Sequence, residues 1–337
     1  MLKGHGDDAY KYKDIKINFS SNVYNHFDQE PLFCHLAGKL DHIASYPEPE
    51  PYSLEHSIAA MLSLQKEEVC VTNGATEAIY LIAQTFRHSK TAILMPAFSE
   101  YADACRIHEH EVCSFYNLQQ MPERAQMIWV CNPNNPTGMV LDKELLLESI
   151  TKNEDKLFVI DQSYAPFTLS PILTPHEAAL HTNTILLHSM TKQFAIPGLR
   201  LGYMTGCEPM IEQIRKQRMP WSVNQVAIDA GHYLLAHEED YQINLHALMQ
   251  ERARMVSVLN TLGFVEVWPS HTHILLCRLR TGHASALKEY LATEHGILIR
   301  DASNFDGLDS SFFRIAVQTR EENEQLIDGI RKWMEIG

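Results

Sequence analysis

Short apolar runs alternate with segments of helical periodicity through the first two thirds of the chain. The apolar runs predict strands at 69–71, 91–95, 127–131, 157–160, 184–187 and 201–204. Residues with helical spacing between them predict helices over 76–86, 98–108 and 141–151. Short apolar strands joined by helical crossovers are typical of a mostly parallel sheet that helices cover on both faces. The pattern therefore predicts the α/β fold class.

The pattern changes at both ends of this core. Residues 1–30 are predicted to form an irregular arm with one short strand near 15–19, and a helix is predicted from Pro31 to about residue 44. After residue 208 the chain becomes more helical, and 263–337 alternates strand and helix afresh. We therefore predict an N-terminal arm at 1–30 that packs with the small domain, a large domain at 31–235 and a small α+β domain at 236–337.

Composition and charge narrow the classes of partner. The 337 residues are enough for two domains, and the net charge of -14 comes without any basic cluster, which argues against a nucleic-acid partner. No apolar run approaches the roughly 20 residues that cross a bilayer, so we expect no membrane partner. The N-terminal residues lack the apolar region of a secretory signal.

The cysteines indicate a reducing environment. The chain has seven of them, an odd number, and none forms a Cys-x-x-Cys pair. Cys70, Cys131 and Cys277 lie within apolar strand-like runs, where a reduced cysteine acts as a small hydrophobic side chain. We therefore predict a cytoplasmic protein without a disulfide framework. The histidines form no HExxH motif and no Cys/His cluster, so no metal site is predicted.

Lys192 lies within the segment HSMTKQFAIPGLRLGY at 188–203, among apolar and small residues. Such surroundings disfavour the ammonium form, lower the pKa of the amine and make it a usable nucleophile for Schiff-base chemistry with a carbonyl. The nearby hydroxyl of Ser189 and the planar guanidinium of Arg200 suit a phosphate. A nucleophilic amine beside phosphate ligands points to an aldehyde that carries a phosphate, which describes pyridoxal 5′-phosphate (PLP).

Three segments upstream of Lys192 also suit ligand binding, although each has a plain structural alternative. The strand at 69–71 is followed by Gly74, Ala75 and Thr76 at the start of a helix, which suits a phosphate or is an ordinary helix capped by Thr76. Asp161 follows an apolar strand, where α/β sheets bind ligands, or is the N-cap of a helix. The segment NPNNPTG at 132–138 would otherwise be a turn-rich loop.

Taken together, these segments resemble the PLP-dependent enzymes related to aspartate aminotransferase, known as fold type I. The resemblance rests on Ser189-x-x-Lys192, on Gly-Leu-Arg200-x-Gly-Tyr and on NPNNPTG, and the matching positions span most of the chain in family order. It implies the PLP-dependent transferase fold, with a large domain built on a mostly parallel seven-stranded sheet and a small α+β C-terminal domain. It also implies a PLP-dependent enzyme that forms homodimers.

The resemblance further implies a role for each matching residue. Lys192 would hold PLP, Asp161 would keep the pyridine nitrogen protonated so that the ring acts as an electron sink, and Tyr164 would contact the phenolic oxygen. The remaining cofactor positions are the phosphate ligands Gly74, Ala75, Thr76, Ser189 and Arg200, the stacking residue Phe98, the phenolic-oxygen ligand Asn135, and Tyr46, which reaches the PLP phosphate of the neighbouring subunit.

The implied substrate is a phosphorylated amino acid. Arg314 matches the arginine that pairs with the α-carboxylate, and Arg300 is a second candidate anion ligand; the alternative for each is a surface ion pair with Asp301 or Glu321. The resemblance is closer to the threonine-phosphate decarboxylases of cobalamin biosynthesis than to the histidinol-phosphate aminotransferases. In the decarboxylases an N-terminal His-Gly and an asparagine touch the substrate, and these residues match His5, Gly6 and Asn22.

The resemblance predicts PLP-dependent decarboxylation of L-threonine O-phosphate to (R)-1-aminopropan-2-ol phosphate. The alternative is a PLP-dependent aminotransferase, first of all a histidinol-phosphate aminotransferase, because both classes share every cofactor residue. The sequence departs from the decarboxylase pattern at Asp7, where a second glycine is usual, and at 22–27, where Asn-x-Asn-Pro-Leu-Gly is usual. A third hypothesis, a non-catalytic regulator of the same fold, is disfavoured because we find no DNA-binding extension.

Overall fold

The structure is a computed structural model that describes residues 7–336. The strands are β1 (Ile17–Asn18), β2 (Val69–Thr72), β3 (Lys90–Leu94), β4 (Glu111–Phe115), β5 (Met127–Cys131), β6 (Leu157–Asp161), β7 (Thr184–Ser189), β8 (Gly202–Gly206), β9 (Val265–Val267), β10 (Ile274–Leu279), β11 (Ile297–Leu298), β12 (Arg300–Asp301) and β13 (Phe312–Ala316). The helices are α1 (Glu30–Ala37), α2 (Tyr52–Leu62), α3 (Gly74–Thr85), α4 (Glu100–Ile107), α5 (Lys143–Lys152), α6 (Pro175–Ala179), α7 (Met190–Gln193), α8 (Glu208–Arg215), α9 (Gln225–Ala236), α10 (Leu245–Thr261), α11 (Ala284–His295) and α12 (Arg320–Ile336).

A seven-stranded sheet forms the centre of the fold, in the order β2-β8-β7-β6-β5-β3-β4. Strand β8 runs antiparallel to β2 and β7, and every other neighbouring pair is parallel. The predicted α/β class and the mostly parallel seven-stranded sheet are therefore confirmed. The carboxyl ends of β5, β6 and β7 lie side by side, because these three strands are parallel neighbours.

The central strands are buried along their whole length, since helices cover both faces of the sheet. Successive side chains of a strand point to opposite faces. In β5, Trp129 therefore packs into the core on one face of the sheet, whereas Ile128 and Val130 pack into the core on the other. This double burial explains why the strands appear in the sequence as unbroken apolar runs.

Three differences between the observed and the predicted elements have a clear physical reason or change an element's bounds. Strand β4 was not predicted, because it is an edge strand with exposed residues and has no apolar run. The helix predicted at 76–86 begins earlier, at Gly74, with Asn73 as its N-cap. The helix predicted to run to about residue 44 ends at Ala37 and is followed by a separate 3-10 turn at Leu40–Ala44.

A four-stranded antiparallel sheet, in the order β12-β13-β10-β9, takes the C-terminal part of the chain. The arm joins this part of the protein, because β1 pairs in parallel with β11. The backbone N–H of Phe19 donates to Leu298 and its carbonyl accepts from Ala316, and its side chain is fully buried. The residue bounds given above for the arm and the two domains stay a prediction.

Within the described residues, no helix is both long enough and apolar enough to cross a bilayer.

Candidate active site

A cavity of about 610 Å³ lies where the carboxyl ends of the central strands meet the arm and the small sheet. This volume is within the range of small-molecule sites, about 300–1,000 Å³. The cavity brings together most residues that the sequence singled out, namely Asn22, Ala75, Thr76, Phe98, Asn135, Asp161, Tyr164, Ser189, Lys192, Arg200, Arg300 and Arg314.

Lys192 reaches the cavity from the short helix α7, directly after β7. Its Nζ donates a hydrogen bond to the backbone carbonyl of Ser21 at 2.8 Å, which ties the arm to the large sheet. Burial of the amine is the main cause that lowers its pKa from 10.5 to about 8, and the positive charges of Arg314 and Arg200 add to the effect. The lowered pKa leaves a much larger fraction of the amine neutral near physiological pH than an ordinary lysine has, and the neutral amine is the nucleophile.

The N-terminus of α3 and Arg200 form an anion site at one end of the cavity. Gly74 has a left-handed backbone with φ of +76°, and a Cβ at this position would lie 2.7 Å from Nη2 of Arg200. Glycine is thus required for the guanidinium to approach the helix terminus. Ala75, Thr76 and Ser189 line the cavity beside it, and the free N–H groups and dipole of a helix N-terminus favour phosphate. The alternative of a helix capped by Thr76 is wrong, because Asn73 is the N-cap.

Asp161 ends β6 and is 4% exposed. One carboxylate oxygen accepts the O–H of Tyr101 at 2.6 Å, and the other accepts the backbone N–H of Ser163 at 2.8 Å. The ring of Tyr101 stacks on Trp129, with 5.0 Å between centroids. These contacts hold the carboxylate in a fixed orientation at the cavity wall, where it can pair with a protonated pyridine nitrogen.

Phe98 and Tyr164 present aromatic groups to the same cavity. The ring of Phe98 meets that of Tyr101 edge to face at 5.8 Å. The hydroxyl of Tyr164 accepts a hydrogen bond from Nδ2 of Asn22 at 2.9 Å, and burial is the main cause that raises its pKa to about 12. Tyr164 therefore keeps its proton at physiological pH and can donate it to a bound oxygen atom.

Arg300 and Arg314 are Cα partners on the adjacent strands β12 and β13, and both are buried in the cavity wall. Arg314 donates to Oδ1 of Asn135 at 2.6 Å and to the backbone carbonyl of Ser20. Arg300 donates to Oδ1 of Asn304 at 2.7 Å. The alternative of surface ion pairs is wrong, because both guanidinium groups are buried. Burial lowers the pKa of Arg314 to about 10, which shows how poorly this cation is solvated.

The two ends of the Asn135 amide allow it to bind two partners, of which the structure shows Arg314. Because Oδ1 accepts the bond from Arg314, the amide can act on a bound oxygen atom only as a donor. This is the role that the resemblance implies for it.

Four predicted site residues are not among the described residues that line this cavity. His5 and Gly6 are outside the described residues. Tyr46 is 86% exposed and packs against Trp221, with 5.4 Å between ring centroids, so it does not line this cavity. Gly74 acts through its contact with Arg200 rather than by lining the cavity.

Other contributors were missed by the sequence analysis. Tyr101 was not predicted as a site residue, because its position within a predicted helix gives no sign that it contacts Asp161. The backbone carbonyls of Ser20 and Ser21 carry no residue-type signal at all. Asp7 lines the cavity, with its carboxylate accepting a bond from Nδ2 of Asn18 at 3.1 Å.

The residues present fit PLP at each of its polar groups: an anion site for the phosphate, a carboxylate for the pyridine nitrogen, donors for the phenolic oxygen and an amine for the aldehyde. The fold and this site define a PLP-dependent enzyme. The sequence model of the family "Aminotransferase class I and II" matches residues 14–330, and the chain belongs to that family.

Three proteins illustrate where the chain lies within the family. It is 36% identical to the L-threonine-O-3-phosphate decarboxylase of Porphyromonas gingivalis, whose crystal structure matches with a TM-score of 0.92 over 95% of this chain and 99% of that one. It is 31% identical to the threonine-phosphate decarboxylase of Salmonella typhimurium, over 94% of this chain and 91% of that protein. It is 29% identical to a histidinol-phosphate aminotransferase of Caldanaerobacter subterraneus, over 87% and 86%.

The environment of Lys192 leads to a prediction for the cofactor-free protein. We expect its amine to titrate near pH 8, charged below and neutral above, because burial and two arginines disfavour the ammonium. Between about pH 8 and 10.5 the unfolded chain then binds more protons than the folded one, so this group makes stability rise with pH. NMR titration of 13C-methylated lysines gives the value, with Lys192→Ala assigning the signal. A midpoint near the ordinary 10.4 would contradict the burial argument.

Proposed function

We propose that this protein catalyses the PLP-dependent decarboxylation of L-threonine O-phosphate to (R)-1-aminopropan-2-ol phosphate. The observation that carries the proposal is the pair of buried arginines on adjacent strands, Arg300 and Arg314, which face one cavity together with Lys192. Two buried cations that face one cavity suit a substrate with more than one negative charge, such as an amino acid that also carries a phosphate. The similarity to two threonine-phosphate decarboxylases supports this substrate class.

Each residue of the site has a role in this proposal. Gly74, Ala75, Thr76, Ser189 and Arg200 would hold the cofactor phosphate, Phe98 would stack on the ring, and Asn135 and Tyr164 would hold the phenolic oxygen. Lys192 would hold the aldehyde carbon. When bound, PLP supplies an electron sink that stabilises the carbanion formed as CO2 leaves.

The chain's own groups would direct that chemistry. Asp161, fixed by Tyr101 and Ser163, would keep the pyridine nitrogen protonated, which the electron sink requires. Arg314 would orient the α-carboxylate, since Asn135 and the carbonyl of Ser20 fix the direction of its guanidinium. With its pKa lowered to about 8, the side chain of Lys192 could in its ammonium form deliver the proton that replaces CO2 at Cα, and be left as the neutral amine.

Substrate anchoring would continue into the arm. Arg300 would share the carboxylate with Arg314, while His5, Gly6 and Asn22 would lie nearer the phosphate. The parallel pairing of β1 with β11 fixes the arm beside both arginines.

The second candidate is amino transfer, most of all as a histidinol-phosphate aminotransferase. It is favoured by the position of the Lys192 amine, which could move a proton at Cα instead of delivering one after CO2 leaves. The two reactions differ in which bond at Cα stands perpendicular to the cofactor ring. The similarity to a histidinol-phosphate aminotransferase keeps this candidate open.

One assay separates the two functions. The enzyme loaded with PLP is given L-threonine O-phosphate, and released CO2 and aminopropanol phosphate are measured. In parallel, histidinol phosphate and 2-oxoglutarate are supplied, and glutamate is measured. We expect CO2 from the first mixture and little glutamate from the second. Glutamate formation without CO2 release would assign the protein to the aminotransferases.

The same assay with arginine variants tests the substrate assignment. Arg314→Ala leaves a carboxylate unpaired in a desolvated pocket, which costs about 2–5 kcal/mol, or roughly 30-fold to several thousandfold in kcat/KM. Arg300→Ala should also lose activity heavily. If Arg300 shares the carboxylate, kcat/KM should fall by the same factor for threonine and for threonine phosphate, so that the preference for the phosphorylated substrate is unchanged.

Arg278→Ala is the matched control, because Arg278 lies on β10 of the same small sheet but is exposed beside Asp309. It should keep wild-type kcat/KM. A collapse of the phosphate preference in Arg300→Ala would assign Arg300 to the phosphate alone. Wild-type turnover in both buried-arginine variants would remove the phosphorylated amino acid from the account.

We further propose a homodimer in which Tyr46 reaches the PLP phosphate of the partner subunit. Trp221, which contacts Tyr46, is exposed in the single chain, and so are large apolar side chains in the segments before Tyr46 and Trp221: Phe33, Leu40, Ile43 and Met219. Exposed apolar patches of this kind mark protein interfaces. Tyr46 itself is exposed beside Trp221 and is not among the residues that line the cavity of its own chain.

Mixing two inactive variants tests the shared site. Tyr46→Ala and Lys192→Ala should regain activity on mixing, because each hybrid dimer has one site with both residues intact. Equal mixing should give about one quarter of wild-type activity, since half of the dimers are hybrids with one working site. Asp161→Ala mixed with Lys192→Ala is the control and should stay inactive, because both residues serve the site of their own chain. A monomer in sedimentation would contradict the dimer.

A further inference from the structure

His273 lies immediately before β10 and is fully buried beside the cavity. Its ring stacks on Phe167 with 3.9 Å between centroids and lies 6.3 Å from the ring of Tyr164. No role of the site described above uses this histidine. A buried polar side chain next to Tyr164, which would bind the cofactor, therefore needs an explanation.

The polar atoms around His273 are incompletely paired. Within residues 7–336, neither ring nitrogen has a hydrogen-bond partner of ordinary geometry, and the same holds for Oδ1 of Asn22. The backbone carbonyl of Asn22 is nevertheless close to the ring, and as a hydrogen-bond acceptor it favours the protonated ring and acts to raise its pKa. Burial outweighs this effect and lowers the pKa of His273 to about 3, so the ring is neutral and has one N–H to donate.

Asn22 has an unusual backbone conformation, which needs stabilising contacts from neighbouring residues. Its φ is 56°, in the left-handed region that side chains rarely adopt, although asparagine tolerates it best. Asn22 is 2% exposed and follows the two carbonyls that bind Arg314 and Lys192. A small change in the backbone conformation of Asn22 would therefore move the carbonyls of Ser20 and Ser21 and alter their hydrogen bonds to Arg314 and Lys192.

The side chain of Asn22 determines how Tyr164 can bind. Nδ2 of Asn22 donates to the hydroxyl of Tyr164 at 2.9 Å. A tyrosine hydroxyl has one hydrogen to donate, and here the oxygen is the acceptor. The hydrogen of Tyr164 is thus left for an acceptor in the cavity, and the phenolic oxygen of PLP is the acceptor in the proposed function.

We propose that His273 is a positioning residue, which donates its one ring N–H to the backbone carbonyl of Asn22, holds that residue in its left-handed conformation and thereby aims the hydroxyl of Tyr164 at the cofactor. The proposal rests on the proposed use of PLP. It assigns no contact between His273 and the substrate. It predicts that loss of the ring N–H alters the bound cofactor through Tyr164, rather than only destabilising the fold.

The test uses the PLP-loaded enzyme and the pH midpoint of its visible absorption. A phenolic oxygen that loses a donor holds more negative charge, so the bound chromophore keeps its titrating proton to higher pH. His273→Phe keeps the stacking on Phe167 but has no N–H. Its midpoint should move upward by about 0.4 unit or more, the lower limit expected for coupled neighbouring residues. If this variant does not fold, His273→Met provides the same loss with a flexible side chain.

Two comparisons distinguish positioning from a general structural effect. His273→Asn and His273→Gln each restore an amide N–H, near the position of one or the other ring nitrogen, and at least one should return the midpoint to the wild-type value. In a double-variant cycle, His273→Phe should add little to the shift of Tyr164→Phe, because both remove the same hydrogen bond. His110→Gln is the matched control: His110 is also buried, but it bonds to Thr91 and Ala83. It should lower stability and leave the midpoint unchanged.

The outcomes separate this inference from the proposed function. A wild-type midpoint in His273→Phe, or a shift that adds fully to that of Tyr164→Phe, would overturn the role of His273. Failure of the wild-type protein to take up PLP would instead overturn the proposed function, because the cofactor spectrum would then be missing from every variant.

Discussion

The hydrogen bond from the amine of Lys192 to the carbonyl of Ser21 joins the large sheet to the arm, and the arm in turn binds Arg314 of the small sheet. Lys192 follows the end of a strand of the large sheet, and Ser21 comes from the arm, which pairs with β11 through β1 and with β13 of the small sheet through Phe19 and Ala316. Arg314 binds the preceding carbonyl of the same arm from the small sheet. The position of the arm therefore determines how the nucleophile and the substrate-binding cation face each other.

The electrostatics of the cavity follow from the same arrangement. The protein has a net charge of -14, yet Lys192, Arg200, Arg300 and Arg314 all face this one space. Burial lowers the pKa of Lys192, Arg300 and Arg314, so these groups are poorly solvated and gain most from anionic ligands. Phosphate and carboxylate groups supply that charge. This constraint explains why the cavity suits a phosphorylated cofactor together with a substrate of two anionic groups.

Much of the fold and site could be predicted because their signals are local. Strands buried on both faces appear as apolar runs, and Asp161 and Lys192 follow such runs directly. Strand β4 was not predicted from the sequence, because an exposed edge strand needs no run of apolar residues. The contact of Tyr101 with Asp161 spans 60 residues, and the carbonyls of Ser20 and Ser21 act regardless of side chain. Such contributions depend on tertiary structure and have no sequence signature.

The central claim is that Lys192 is the residue that holds PLP. Borohydride reduction of the PLP-loaded protein, followed by mass spectrometry of its peptides, tests it directly. The account predicts a pyridoxyl group on Lys192 and no labelled peptide in Lys192→Ala, which should still fold. Two other lysines, Lys156 and Lys288, are buried, but each pairs with an aspartate. A pyridoxyl group on either of them, or on any lysine other than Lys192, would contradict the account.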